Sequence, residues 1–177
     1  MLDAVLSPNW GDRYYSCDSR WAPGEVMSLM RDGSGNAHSI VFAEAGVFAR
    51  GFNHESILSR YRRKSAESWP GLLDGVPEAT VCFWPETADA AWCGDNFAPG
   101  PDGGGAAALF QLLLDGSPEV YQSFAEDCHE TDLDLHAVRH VYVLRPFASD
   151  VVRTLNPKLE LAELAGCIAE VGYRAGM

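Results

Sequence analysis

Residues 39–52 of this 177-residue chain read SIVFAEAGVFARGF, and they give the clearest indication of its secondary structure. Two runs rich in β-branched and aromatic residues, 39–43 and 47–52, flank a short loop that contains Gly46. Two such runs joined by a short loop with glycine are typical of a β-hairpin. The sequence therefore predicts an antiparallel sheet in the N-terminal half of the chain.

The sequence on either side of this hairpin adds further elements to the sheet. Residues 79–84 predict a strand, and residues 90–93 predict its pairing partner. Residues 25–30 suit a strand or a short helix, and residues 56–64 suit a short helix or a polar loop. Residues 97–105 are rich in glycine and proline, which predicts a loop and the best candidate for a linker.

The last 75 or so residues have apolar positions spaced as in helices. Ala107, Phe110, Leu113 and Leu114 share one face of a helix. Ser117-Pro118-Glu119 is a typical helix start, with a hydroxyl at the N-cap and proline at the first helical position. Residues 135–144 are ambiguous between helix and strand. Asn156-Pro157 predicts the start of a helix that runs to the C-terminus.

Together these elements predict an α+β fold. We expect one domain over residues 1–177, with a mainly antiparallel sheet from the N-terminal half and the C-terminal helices packed on one face. The length agrees with a single domain, since domains cluster near 100–200 residues.

The charge of the chain is one-sided. No Lys or Arg occurs between Lys64 and Arg139, and this interval carries fourteen acids in a chain of net charge −12. Such a distribution favours a basic protein partner and disfavours bare nucleic acid or an anionic membrane. It does not define the oligomeric state.

The densest acidic cluster has five members within nine positions: Glu126, Asp127, Glu130, Asp132 and Asp134. These carboxylates repel one another in the free protein, and a docked cationic partner would relieve the repulsion. The cluster therefore predicts a partner-binding surface. The competing interpretation is an ordinary solvated turn.

A pair of histidines offers a different chemistry. The spacing of four places His136 and His140 on one side of a helix or of a strand. Zinc and similar ions bind neutral imidazole, and Glu130, Asp132 or Asp134 could add a carboxylate ligand. The zinc-protease pattern His-Glu-x-x-His is absent. The pair supports an alternative hypothesis, a metal-dependent hydrolase.

Other patterns argue against a cofactor and against export. The chain has five cysteines, an odd number, and no Cys-x-x-Cys pair, which favours reduced thiols. Residues 1–8 lack the basic n-region of a signal peptide. The glycines at 103–105 lack the Lys and Ser/Thr of a nucleotide-binding loop. We expect a cytoplasmic protein that needs no cofactor.

Three segments carry a resemblance to a known group of proteins. They are residues 18–25, residues 30–36 and residues 69–77. They resemble a family of small, uncharacterised bacterial proteins, and the resemblance implies no activity and no functional residues. In size and acidity the chain is also similar to immunity proteins of bacterial polymorphic toxin systems.

The function that these observations favour is non-enzymatic binding. We expect the acidic cluster to meet a basic protein partner, such as a toxin, and to cover the active site of that partner. The mechanism would be electrostatic steering followed by steric occlusion. The absence of any catalytic motif of high specificity agrees with this interpretation.

Overall fold

A computed structural model describes residues 1–56, 79–85, 92–94, 103–174 and 176. The chain forms two compact units. The helical unit comprises residues 1–19 and 112–177, and the sheet unit comprises residues 20–111. The expectation of one domain stays a prediction. The segment expected to be a short helix or polar loop lies almost wholly outside the described residues.

The sheet follows the order of its strands in the chain. The strands are β1 Tyr15–Ala22, β2 Glu25–Arg31, β3 Ala37–Ala43, β4 Gly46–Phe52, β5 Val81–Pro85 and β6 Trp92–Gly94. Their order in the sheet is β1-β2-β3-β4-β5-β6, and each neighbouring pair from β2 to β6 is antiparallel. The predicted hairpin is confirmed as β3 and β4, and the two later strands pair as expected.

The helices follow the sheet, apart from one short helix at the start. They are α1 Leu2–Leu6, α2 Ala106–Asp115, α3 Pro118–His129, α4 Leu135–Tyr142, α5 Ser149–Leu155 and α6 Ala165–Val171. The predicted α+β class is therefore confirmed. No helix in the described ranges has the length and hydropathy to cross a membrane.

Residues of α2 cover one face of the sheet unit. His38, Gly51 and Val81 are neighbours across β3, β4 and β5. The His38 ring stacks on Phe110 at 4.5 Å between centroids. A Cβ on Gly51 would lie 2.6 Å from Leu109 Cδ1, so glycine at this position lets the helix approach the strand closely.

The stability of the sheet unit should depend on pH through His38. This imidazole is 2% exposed, and its Nδ1 lies 2.7 Å from the Leu109 carbonyl oxygen, to which it donates. Burial lowers the pKa of His38, and the bond to Leu109 offsets this only in part. A lowered folded-state pKa gives a stability contribution that is complete above the unfolded pKa of about 6.5 and is lost as pH falls below it.

We therefore expect the free energy of unfolding to fall as pH drops below about 6.5, by about 1.4 kcal/mol for each unit by which folding lowers the pKa. His38→Phe should flatten this part of the profile, whereas His54→Gln, at an exposed histidine, should keep it. Urea titrations between about pH 5 and 8 measure the effect. An unchanged slope in His38→Phe would contradict the assignment.

The start of α2 is a tightly packed turn. Gly103, Gly104 and Gly105 have φ of 55°, 68° and 78°, which is the left-handed region. Thr80 Oγ1 donates to the Gly104 carbonyl at 2.6 Å and accepts the Asn53 N–H at 3.0 Å. A Cβ on Gly104 would overlap the Thr80 carbonyl oxygen. Gly104 therefore allows close backbone packing against Thr80.

The helical unit has its own apolar core, in which Val5, Val138, Phe147 and Val152 are fully buried. One carboxylate lies inside this unit. Asp3 is 3% exposed, and its Oδ1 accepts the Tyr121 hydroxyl at 2.5 Å. Its Oδ2 accepts the Tyr15 N–H at 2.7 Å. Burial, followed by the charge of Asp3, raises the pKa of both tyrosines.

Two helix predictions can be compared with the structure. The ambiguous stretch at 135–144 forms helix α4. The predicted helix start at Asn156 is wrong, because Asn156 ends α5 and its side chain donates to the Val5 carbonyl at 2.8 Å. Helical structure resumes after Glu160, which forms a capping box with Glu163.

Candidate protein-binding surface

The five acids of the predicted surface span the last turn of α3, which holds Glu126 and Asp127, and the connection to α4, and we call these five residues the acidic turn: Glu126, Asp127, Glu130, Asp132 and Asp134. Helix α3 starts as predicted, with Ser117 as N-cap and Pro118 at the first helical position. It ends at Glu130, whose backbone is left-handed. All members are exposed except Glu126, which is half-buried.

Two of these acids shape the turn. Glu126 Oε1 accepts the Leu133 N–H at 3.0 Å, and Gln122 donates to the Leu133 carbonyl at 2.7 Å. Asp134 Oδ1 accepts the Ala137 N–H at 2.9 Å and so caps α4. Their carboxylates are therefore occupied by backbone donors, which is a structural role that the charge pattern alone did not indicate.

The other three acids, Asp127, Glu130 and Asp132, are exposed. In the part of the chain that the structure describes, none of them makes an ion pair or receives a side-chain hydrogen bond. Elsewhere in the helical unit, acids do have cationic partners. Arg139 binds Glu119, and Arg153 binds Glu160 at 2.9 Å. The Arg139 guanidinium lowers the pKa of Glu119.

Cys128 lies within the same part of α3. It is exposed, but burial of its sulfur, followed by the charge of Asp3, raises the pKa of the thiol, and Asp127 adds to this effect. A raised pKa reduces the thiolate fraction, which is the nucleophilic form. The site therefore presents negative charge without an activated cysteine.

A groove runs along α4 next to α5 and has a volume of about 570 Å³. We call it the α4–α5 groove. His136, His140 and Val143 line its α4 side, and they repeat at helical spacing. Asp150 and Thr154 line its α5 side. Asp134 also lines the groove, so the groove is continuous with the acidic turn.

The two histidines of the metal hypothesis therefore line the same groove. His140 is partly engaged, because its Nε2 lies 2.9 Å from the Pro146 carbonyl oxygen and donates to it. His136 is exposed. Within the described ranges, no three side chains of His, Cys, Asp or Glu gather into a group that could hold a metal ion.

Two apolar side chains project at the other end of α4. Val143 is 62% exposed and Leu144 is 72% exposed. Leu144 has φ of 56°, a left-handed conformation that costs a non-glycine residue about 1–2 kcal/mol. Strained backbone of this kind is enriched at ligand-binding and switch regions.

Comparisons with protein-family models, with curated proteins and with solved structures found no match to this chain. Sequence reasoning located the acidic turn and the two histidines, but it missed Arg145, Asp150 and Thr154 of the groove. These residues follow α4 in the chain, and no motif or periodicity connects them with it.

Proposed function

We propose that this protein is a non-enzymatic binding module whose acidic turn docks a basic protein partner. One observation carries the proposal. Asp127, Glu130 and Asp132 are exposed and have no cationic partner among the described residues, whereas Glu119 and Glu160 are each paired with an arginine. The chain thus pairs some of its acids and leaves these three available.

Electrostatics explains why such a surface favours association. Three carboxylates held on one turn repel one another, so the docking of lysine or arginine side chains relieves an existing cost. Complementary charge also raises the association rate, and the effect weakens with salt. The acidic turn would therefore mainly raise the association rate and select for basic partners.

Apolar contact would supply the remaining affinity. Val143 and Leu144 lie at the opposite end of α4 from Asp134, which is on the order of 12 Å for eight residues of helix. A standard interface buries about 800 Å² on each partner, so one partner could cover both ends of α4. Exposed leucine beside charge is suited to such an interface.

In its narrowest form, the proposal is that the chain is an immunity protein. An acidic partner of modest size can cover the active site of a basic toxin without performing any chemistry. The net charge of −12 and the length of 177 residues agree with this role. The resemblance to small bacterial proteins noted from the sequence is compatible with it.

The test compares two variants with equal net charge. The first, Asp127→Asn/Glu130→Gln/Asp132→Asn, neutralises the acidic turn. The second, Glu25→Gln/Glu44→Gln/Glu55→Gln, neutralises three acids of the sheet unit, and each variant has a net charge of −9 instead of −12. The measurement is the Kd of a labelled ten-residue oligolysine, by fluorescence anisotropy at low and at physiological salt.

We expect the first variant to weaken binding about tenfold, which is about 1.4 kcal/mol, and the second at most about threefold. Binding by the natural sequence should weaken as salt increases. Equal losses in both variants would mean that net charge matters and the acidic turn does not. In affinity capture with each variant immobilised, the second variant should retain a basic partner, and the first variant should not.

The metal-dependent hydrolase is kept as a second candidate because His136 and His140 line one groove together with Asp134 and Asp150. Elemental analysis of protein purified without a histidine tag separates the two proposals. We expect substoichiometric zinc and manganese. One equivalent of either metal, lost in His136→Ala/His140→Ala, would favour the hydrolase instead.

A further inference from the structure

The positively charged side chain of Arg50 is half-buried on the sheet, in the sheet unit, which does not contain the acidic turn. Arg50 lies on β4, between Ser39 of β3 and Cys82 of β5, so the three residues form one cross-strand row. Arg50 Nε donates to Ser39 Oγ at 2.8 Å. The side chain is therefore held against the sheet at a defined position.

Among the residues that the structure describes, no carboxylate forms an ion pair with the Arg50 guanidinium. Burial lowers the pKa of Arg50, and the nearby Cys82 sulfur opposes this in part. A partly desolvated charge without a counter-charge is unfavourable, so an anion that reached it would be stabilised.

A small cavity adjoins the guanidinium. Its volume is about 60 Å³, which is roughly twice the bulk volume of one water molecule. Leu29, Ala37 and Phe52 contribute apolar wall, and Ser39 and Arg50 contribute polar groups. A cavity of this size accommodates the charged head of a small molecule and excludes a folded protein.

We propose that this cavity binds a small oxyanion, a carboxylate or a phosphate group. The terminal Nη groups of Arg50 would donate to two oxygens of the anion, a geometry that the planar guanidinium favours. Ser39 Oγ already accepts from Arg50 Nε, and its hydroxyl hydrogen is available to donate to the same anion. Arg50 and Ser39 are binding residues, and no reaction is involved.

A structural role for Arg50 makes a different prediction. Its aliphatic stem could simply cover the sheet while the charged head reaches water. In that case anions would interact with Arg50 no more strongly than with any exposed arginine. Arg145 supplies the internal standard, because it is exposed and no described residue forms an ion pair with it.

The direct test uses the natural sequence, so it does not depend on a variant that folds. The side-chain Nε–H resonance of Arg50, identified by its loss in Arg50→Lys, is followed by NMR while sodium acetate or sodium phosphate replaces sodium chloride at constant ionic strength. We expect saturation with a Kd of a few millimolar for at least one anion. The Arg145 resonance should shift without saturating.

Thermal unfolding gives a second measurement. At ten times the Kd, the bound anion should raise the Tm by roughly 3–5 °C. Arg50→Met should abolish this rise, Ser39→Ala should weaken binding about threefold to tenfold, and Arg145→Met should leave both unchanged.

The two titrations identify the source of the oxyanion. Saturation by acetate alone assigns a carboxylate, and saturation by phosphate alone assigns a phosphate. Saturation by neither, or a rise in Tm that persists in Arg50→Met, overturns the site. This result is independent of the proposed acidic docking, because none of these variants changes the acidic turn.

Discussion

Asp3→Ala should lower the free energy of unfolding by about 3 kcal/mol. The substitution leaves the buried Tyr121 hydroxyl and the Tyr15 N–H without their acceptor. An unsatisfied buried donor costs about 1–3 kcal/mol, and more when its partner was charged. Chemical denaturation followed by circular dichroism measures the loss as a lower midpoint with an unchanged slope.

A matched control separates burial from charge. Asp12→Ala also removes an acid near the N-terminus, but Asp12 is exposed, and among the described residues its carboxylate accepts only the Asn9 side-chain amide. It should cost less than about 0.5 kcal/mol. The double mutant with Tyr121→Phe should show a coupling of about 1–2 kcal/mol. Additive effects of the two substitutions would contradict the bond between Asp3 and Tyr121.

The second large effect is expected at Gly104. Gly104→Ala should destabilise the protein by about 3 kcal/mol for two reasons. The left-handed backbone disfavours any side chain by about 1–2 kcal/mol. The new Cβ would also overlap the Thr80 carbonyl oxygen, so Thr80 would have to shift from its bonds to Asn53 and to the Gly104 carbonyl.

Gly103→Ala isolates the first of these two effects. Gly103 is also left-handed, at φ of 55°, but a Cβ there would meet no described atom within 4 Å. Its expected cost is therefore about 1–2 kcal/mol, from the backbone alone. Guanidinium denaturation of both variants gives the comparison. Equal losses would show that close packing against Thr80 does not matter.

The sheet could be predicted from sequence because its signals are local. The hairpin of β3 and β4 has β-branched and aromatic runs on both sides of a glycine-containing loop. This local pattern is typical of a hairpin. The strand β5 was found for the same reason. Alternation along a strand is visible within a few residues, so no tertiary information is needed.

Helix α4 shows where local signals fail. Val141, Tyr142 and Val143 favour a strand by intrinsic preference. Asp134 caps the segment as a helix, and Ala137, Val138 and Val141 bury one face of it. Tertiary burial therefore overrode a weak local preference. At Asn156 the local signal was strong but misleading. Asn-Pro typically starts a helix, yet here the Asn156 side chain donates a hydrogen bond to the Val5 carbonyl and the residue ends α5.

The acidic turn and the cavity beside Arg50 also differ in whether local sequence signals can locate them. The acidic turn is a local charge cluster, so composition was enough to locate it. The cavity beside Arg50 depends on the register that places Ser39 opposite Arg50 across β3 and β4, eleven residues apart in sequence. No sequence pattern within β3 or β4 indicates that Ser39 and Arg50 are paired, so the three-dimensional structure is needed to find the cavity.

The bond between Glu126 and the Leu133 amide also bears on the thermodynamics of recognition. This hydrogen bond and the Asp134 cap order the connection between α3 and α4 in the free protein. If a partner binds there as proposed, little conformational entropy would be lost on binding. Complex formation should then be limited by diffusion and orientation, without a folding step. Glu126→Ala would remove this bond and one of the five charges, and it would leave the other four carboxylates on a more flexible loop, so we expect slower association and a larger loss of conformational entropy on binding.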